Sequence, residues 1–150
     1  MSRCLNILLV LALLVPIGTG LTGAARGETI VEARQRLMVS IVRATKVPRA
    51  MVAGEAPFDE AAVKAAVKQV LEATAVMPRL FPDGSLDATS TALPAIFENR
   101  ADFEIRLLEL EKAAVALAFA AKQGPEDFKF AFSEYEASCD SCHAKYRKPE

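Results

Sequence analysis

The segment Cys139-Asp140-Ser141-Cys142-His143 holds the residues best suited to chemistry in this chain. Two thiols three positions apart, with an imidazole directly after the second, form the attachment pattern of a c-type haem. The spacing has a chemical reason. Each thiol adds across one vinyl group of the porphyrin to give a thioether. The next residue then lies beneath the iron and supplies an axial nitrogen. On a helix turning about 100° per residue, Cys139, Cys142 and His143 fall within an arc of roughly 100°. One helical face can therefore present both bonds and the ligand. His143 is also the only histidine in the chain.

Other uses of the same residues fit less well. A thioredoxin-like redox pair belongs to a fold with βαβ units, and no such units are predicted. A structural zinc site wants four ligands, and after loss of a leader the chain offers two cysteines and one histidine. A disulfide between Cys139 and Cys142 would close a very short loop and leave His143 without a role.

The elements that must position this motif read as helical. Alanine is frequent, glycine is scarce inside the long segments, and no period-two alternation of β-branched residues occurs. A first helix is expected over residues 29–53. Its stripe is Val31, Arg34, Met38, Ile41 and Thr45, widened by Leu37 and Val42. Pro48 should kink it and Gly54 should end it. A second begins at Asp59, a good N-cap, with Phe58 placed to staple back onto Val63. Val63, Val67, Val70 and Thr74 form its stripe, and Pro78 and Pro82-Asp83-Gly84-Ser85 close it. A loop over residues 81–93 follows. The third helix should span 94–123 on Phe103, Leu107, Leu110, Ala114 and Leu117. A second row, Ile105, Leu108, Val115 and Phe119, suggests burial on more than one side. Gly124-Pro125 ends that helix and starts the fourth, residues 125–147. Its stripe of Phe128, Phe132 and Tyr135 runs on into Cys139, Cys142, His143 and Tyr146. These aromatic residues could be plain core or could wall the haem.

Four helices with mostly short connections predict an all-α, antiparallel up-down-up-down four-helix bundle. Its first and last helices are then antiparallel neighbours. His143 would sit level with the early turns of the first helix, where Arg34 and Met38 lie on the inward stripe. Met38 is therefore the candidate for the iron face opposite His143.

Residues 1–27 read as a secretory signal. Arg3 precedes an apolar run from Leu5 to Ile17, too short to span a bilayer, and small residues follow it. Cleavage after Ala25 or Gly27 is expected, and a retained anchor is the alternative. Cys4 would leave with the leader. Export agrees with covalent haem attachment, which bacteria carry out beyond the cytoplasmic membrane, so a periplasmic location is expected. Residues 28–150 would form one domain. They carry 16 Lys and Arg against 19 Asp and Glu, a balance that argues against nucleic acid and anionic membranes as partners. No glycine-rich phosphate loop and no serine–histidine–acid set occurs. The only histidine is assigned to iron, so no enzymatic activity is expected.

Taken together, the chain resembles the class II cytochromes c, that is, cytochrome c′ and its low-spin relatives. The likeness rests on the C-terminal motif with Tyr146-Arg147 after it and on Arg34-Gln35-Arg36-Leu37-Met38. It rests further on Gly54-Glu55-Ala56-Pro57-Phe58-Asp59 and on Leu93-Pro94-Ala95-Ile96-Phe97-Glu98-Asn99. The resemblance implies one covalently attached haem c, with Cys139 and Cys142 as thioether sites and His143 as proximal ligand. It implies Arg34 near a haem propionate and Arg147 on the proximal side beside the imidazole. Met38 falls at the distal position, and Phe97 stands where many relatives have tryptophan. The family divides between low-spin carriers, in which a first-helix methionine binds iron, and five-coordinate proteins that bind nitric oxide or carbon monoxide. The expected function is periplasmic one-electron transfer with protein redox partners, and gas binding is the alternative. A homodimer is implied by the same likeness.

Overall fold

A computed structural model describes residues 27–149. The segment 1–26, which holds nearly all of the expected leader and its first cleavage point, lies outside the described residues. Four long helices dominate: α1 (Ile30–Ala44), α3 (Glu60–Val76), α5 (Arg100–Ala121) and α6 (Pro125–Tyr146). Between them lie two short helices, α2 (Lys46–Val52) and α4 (Ala95–Glu98), and a 3₁₀ turn, Met77–Leu80. No strand occurs among the described residues, and none of their helices is long and apolar enough to cross a membrane.

Local chemistry explains the boundaries. Thr29 opens α1 with a capping box. Its hydroxyl accepts from the Glu32 amide at 3.2 Å, and the Glu32 carboxylate accepts from the Thr29 amide at 2.7 Å. Both orphan donors are thereby satisfied. The single first helix expected over 29–53 is interrupted at Thr45. Pro48 has no N–H, and its ring crowds the carbonyl four residues back, at Ala44. Thr45 Oγ1 instead donates to the Ile41 carbonyl at 3.0 Å. Beyond α2, Gly54 adopts φ +76°. Its amide donates to the Met51 carbonyl, and the Glu55 amide donates to the Ala50 carbonyl. That pair of bonds is a Schellman stop, which needs the left-handed residue glycine provides.

Asp59 caps α3 as expected, accepting from the amides of Ala61 and Ala62. Phe58, expected to staple back onto Val63, has its ring 5.4 Å from that of Phe128 in α6. Pro78 converts the last turn after α3 to 3₁₀ geometry. The expected third helix is likewise split. Asn99 leaves helical geometry at φ −125°, ψ 45° and separates α4 from α5.

The core is continuous. Val63, Val67, Val70, Phe103, Leu107, Ala114, Leu117, Phe128 and Phe132 are all buried, as their periodicity predicts. α5 packs most extensively on α6 and α3, and α1 packs on α3. α1 and α6 face each other across a cleft. The second row of α5 is not buried. Ile105 is 54% and Phe119 61% exposed, with Leu108 and Val115 beside them. An outer helix of a four-helix bundle has neighbours on two sides only, so its far face meets solvent. Val42, expected to widen the inward stripe of α1, is also outside at 67%.

The loop between the 3₁₀ turn and α4 closes one end of the cleft. It is pinned to the tail of α6, where the Leu93 amide donates to the Tyr146 carbonyl at 2.9 Å. The Lys148 amide donates to the Thr91 carbonyl at 2.8 Å, and Ala92 and Arg147 form an isolated antiparallel bridge.

Candidate haem-binding site

The cleft between α1 and α6 has a volume of about 580 Å³, within the usual range for cofactor sites. α1 contributes Arg34 and Met38, α6 contributes Cys142, His143 and Tyr146, and Ile96 and Phe103 form the back. A second cavity of about 460 Å³ lies deeper along α6, lined by Cys139, Tyr135, Met77 and Leu107 among others. Met38, Val42, Cys142 and His143 border both. The two cavities therefore adjoin as one slot, running from Arg34 at one end to Cys139 at the other.

The motif lies in the last two turns of α6, with Cys139, Cys142 and His143 half-buried and Asp140 and Ser141 exposed. Cys139 and Cys142 are both free thiols. Burial is the largest cause raising both thiol pKa values. Cys139 Sγ donates to the Tyr135 carbonyl at 3.5 Å, one turn back. Met38 stands in α1 on the opposite wall, as its register predicts.

Arg34 is the one strongly buried charge on this surface. Its Nε donates to the Leu80 carbonyl, and its Nη2 donates to the Ser85 carbonyl at 2.8 Å and to the Ser85 hydroxyl. The guanidinium lies over the Phe81 ring, 4.6 Å from its centroid. Desolvation lowers its pKa, and nearby Asp87 works in the opposite direction. Nη1 is buried with no partner. Buried donors are seldom left so, and a charged donor calls for an anionic acceptor. A propionate at the porphyrin edge would supply one. An apolar slot, two thiols and an imidazole on one helical face, and an orphaned guanidinium nitrogen together suit a haem.

A network behind the motif holds it in place, and sequence reading missed it. Asp102 in α5 accepts from the Tyr146 hydroxyl at 2.5 Å, from Lys145 Nζ at 2.9 Å and from Arg106 Nε at 3.0 Å. Tyr146, Lys145 and Arg106, in that order, hold the Asp102 carboxyl well below the usual carboxylate range. Arg106 Nη1 also donates to the Ser141 hydroxyl at 2.7 Å, between the two cysteines. The i,i+4 spacing of Asp102 and Arg106 is visible in the sequence. Their cross-helix partners depend on the bundle register and are not.

Of the expected site residues, Cys139, Cys142, His143, Arg34, Met38 and Arg147 all border the slot. Phe97 does not. Its ring packs under the Arg100 guanidinium at 5.3 Å, and Ile96 fills the back of the cleft instead. Phe128 and Phe132 are core residues outside the slot, whereas Tyr135 lines its deeper half.

A family model for cytochrome c′ matches residues 29–147, nearly all of the described chain. The chain belongs to the cytochrome c′ family. It is similar to a cytochrome c-556 of Agrobacterium fabrum, 35% identical over 125 residues, covering 83% of this chain and 85% of that one. It is also similar to a cytochrome c′ of Rhodopseudomonas palustris, 30% identical over 135 residues, covering 89% and 90%. Among solved structures, cytochrome c′ from Rhodopseudomonas palustris superimposes with a TM-score of 0.77 at 29% identity, covering 82% of this chain and 98% of that one. A nitric oxide complex of a point mutant of cytochrome c prime from Alcaligenes xylosoxidans superimposes with a TM-score of 0.72 at 28% identity, covering 80% and 94%.

Members of the cytochrome c′ family carry covalently attached haem c. In this chain Cys139 and Cys142 would hold it, His143 would face the iron, and Arg34 would take a propionate through Nη1. When bound, haem c would supply a ferric/ferrous couple for one-electron chemistry. The chain's own contribution is one face of α6 carrying both thiols and the imidazole, a largely apolar wall, and one buried positive charge, Arg34.

Proposed function

We propose that this cytochrome c′ family protein is a periplasmic one-electron carrier, with Cys139 and Cys142 as thioether sites and His143 and Met38 as the two axial residues. The observation that carries this reading is the position of Met38, which borders both halves of the slot from the wall facing His143. A thioether sulfur is a soft donor suited to haem iron, and Met/His ligation raises the reduction potential. Leu37 and Ile41 beside it are apolar, so no polar side chain of that turn competes. Covalent attachment retains the group through repeated oxidation and reduction, and the apolar leader fits export. No second imidazole lines either half of the slot, and its two carboxylates, Glu136 and Asp140, flank Cys139 on α6, the helix that carries His143, so a binding or carrier role suits it better than acid–base catalysis.

Gas binding is the second reading. Met38 is also a flexible apolar filler that could cover the iron without bonding it, and a point mutant of a related cytochrome c prime is known as a nitric oxide complex. Met38→Ala separates the two. If Met38 is a ligand, a low-spin wild type becomes high-spin in the variant and begins to bind carbon monoxide. If Met38 is only a cover, the wild type is already high-spin and the variant merely takes up gas faster. A low-spin spectrum that survives the substitution would place the sixth ligand elsewhere.

A further inference from the structure

The charge balance of the whole chain conceals a strong local polarity. Between Glu32 and Glu55 there are five basic residues, Arg34, Arg36, Arg43, Lys46 and Arg49, and no acidic one. After Gly54 the chain carries 17 acidic residues against 11 basic ones. Three of the five cations are engaged: Arg34 inside the cleft, Arg36 with Glu28 at 2.8 Å, and Arg49 with Glu136. Arg43 and Lys46 are exposed and have no ion-pair partner among the described residues. They share a strip with two exposed valines. Val39 lies three and four residues before Val42 and Arg43 on α1, the spacing of neighbours on one helical face, and Lys46, the first residue of α2, follows Val42 by four and Arg43 by three. Val39, Val42 and Arg43 also border the cleft.

We propose that this strip, two valines edged by Arg43 and Lys46 at the mouth of the cleft, docks an acidic redox-partner protein. The inference rests on the electron-carrier reading above. An apolar centre with a charged rim is the usual make-up of a transient interface, and unpaired cations there would steer a negative partner to the haem edge. A second copy of this chain is a poor occupant. In a two-fold contact of the strip with itself, neither copy would bring a carboxylate to pair with Arg43 and Lys46.

The test uses ferrous holoprotein, wild type and Arg43→Glu/Lys46→Glu, oxidised by anionic ferricyanide and by the cationic tris(phenanthroline)cobalt(III) ion. At low salt the double variant should react with ferricyanide about threefold more slowly or worse, and faster with the cobalt ion. Both differences should shrink as ionic strength rises. Lys46 borders neither half of the slot, so Lys46→Glu alone should give part of the effect, which separates surface charge from any change in the cleft. Poly-L-glutamate should slow the ferricyanide reaction of the wild type and not that of the double variant. Equal rates in wild type and variant with both oxidants would overturn the docking surface while leaving the carrier reading intact. A haem that neither oxidant can reach would overturn the carrier reading and this surface with it. Two further outcomes would also reassign the strip and overturn the proposal: a wild-type dimer that dissociates in the variant, or phosphatidylglycerol vesicles bound by wild type alone.

Discussion

At the residue scale, two buried polar atoms without partners make opposite predictions. Arg34 Nη1 is charged and sits at the rim of the slot, so it should matter to the redox couple. A positive charge favours the more electron-rich ferrous state. Arg34→Ala should therefore lower the reduction potential. An interaction on the order of 1 kcal/mol corresponds to about 40 mV for a one-electron couple, within reach of a spectroelectrochemical titration. An unchanged potential would mean that the guanidinium serves only to hold the loop at Leu80 and Ser85. Tyr135 is also buried, its phenol pKa pushed up mainly by desolvation, and its hydroxyl has no partner. Removing an unsatisfied hydroxyl is nearly free. Tyr135→Phe holoprotein should melt at the wild-type temperature or slightly above. A loss of more than about 1.5 kcal/mol, the upper range for one neutral hydrogen bond, would show that the bound haem edge or its thioether provides a partner. Cys139→Ser and Cys142→Ser should each leave at most one thioether, seen as an altered haem spectrum in denaturant. Full covalent haem in both variants would contradict the attachment roles.

At the scale of elements, the sequence was most legible where periodicity met a single packed face. The inward stripes of α3, α5 and α6 could be read residue by residue, and so could the caps at Asp59 and Gly54. The breaks at Thr45 and Asn99 were less legible. Pro48 announced a disturbance in the first helix but not its position three residues earlier. The outer row of α5 was misread because periodicity reports that residues share a face, not that anything covers it. Least legible was the Asp102 network, since its partners come from a different helix. That network makes a pH-dependent prediction. The carboxyl is held below its unfolded value, so its contribution to stability is present above about pH 4, the unfolded carboxylate pKa, and fades as pH falls below it. Asp102→Asn should lower the melting temperature at pH 7. The gap between variant and wild type should narrow steadily below about pH 4. A gap that does not change with pH would mean that the carboxylate charge is not what joins α5 to the tail of α6.

At the scale of the whole molecule, the fold converts one pentapeptide into a site by closing a bundle incompletely. α1 and α6 are held apart by a cleft lined with both, and the loop from the 3₁₀ turn seals its end against Tyr146 and Arg147. The haem motif and the bundle were legible because each follows from local chemistry and helix register, and the same register brings Arg34 and Met38 to the slot that His143 borders. The polarity of the surface was legible in the sequence but was masked by a near-neutral total. What matters most for function is how closely α1 approaches the iron once haem fills the slot. That distance decides between carrier and gas binder, and the visible spectrum of the intact holoprotein reports it. Oxidised and reduced samples should be recorded with and without carbon monoxide. The electron-carrier account predicts low-spin spectra in both oxidation states and no change on adding carbon monoxide. A high-spin, five-coordinate spectrum that shifts with the gas would contradict it.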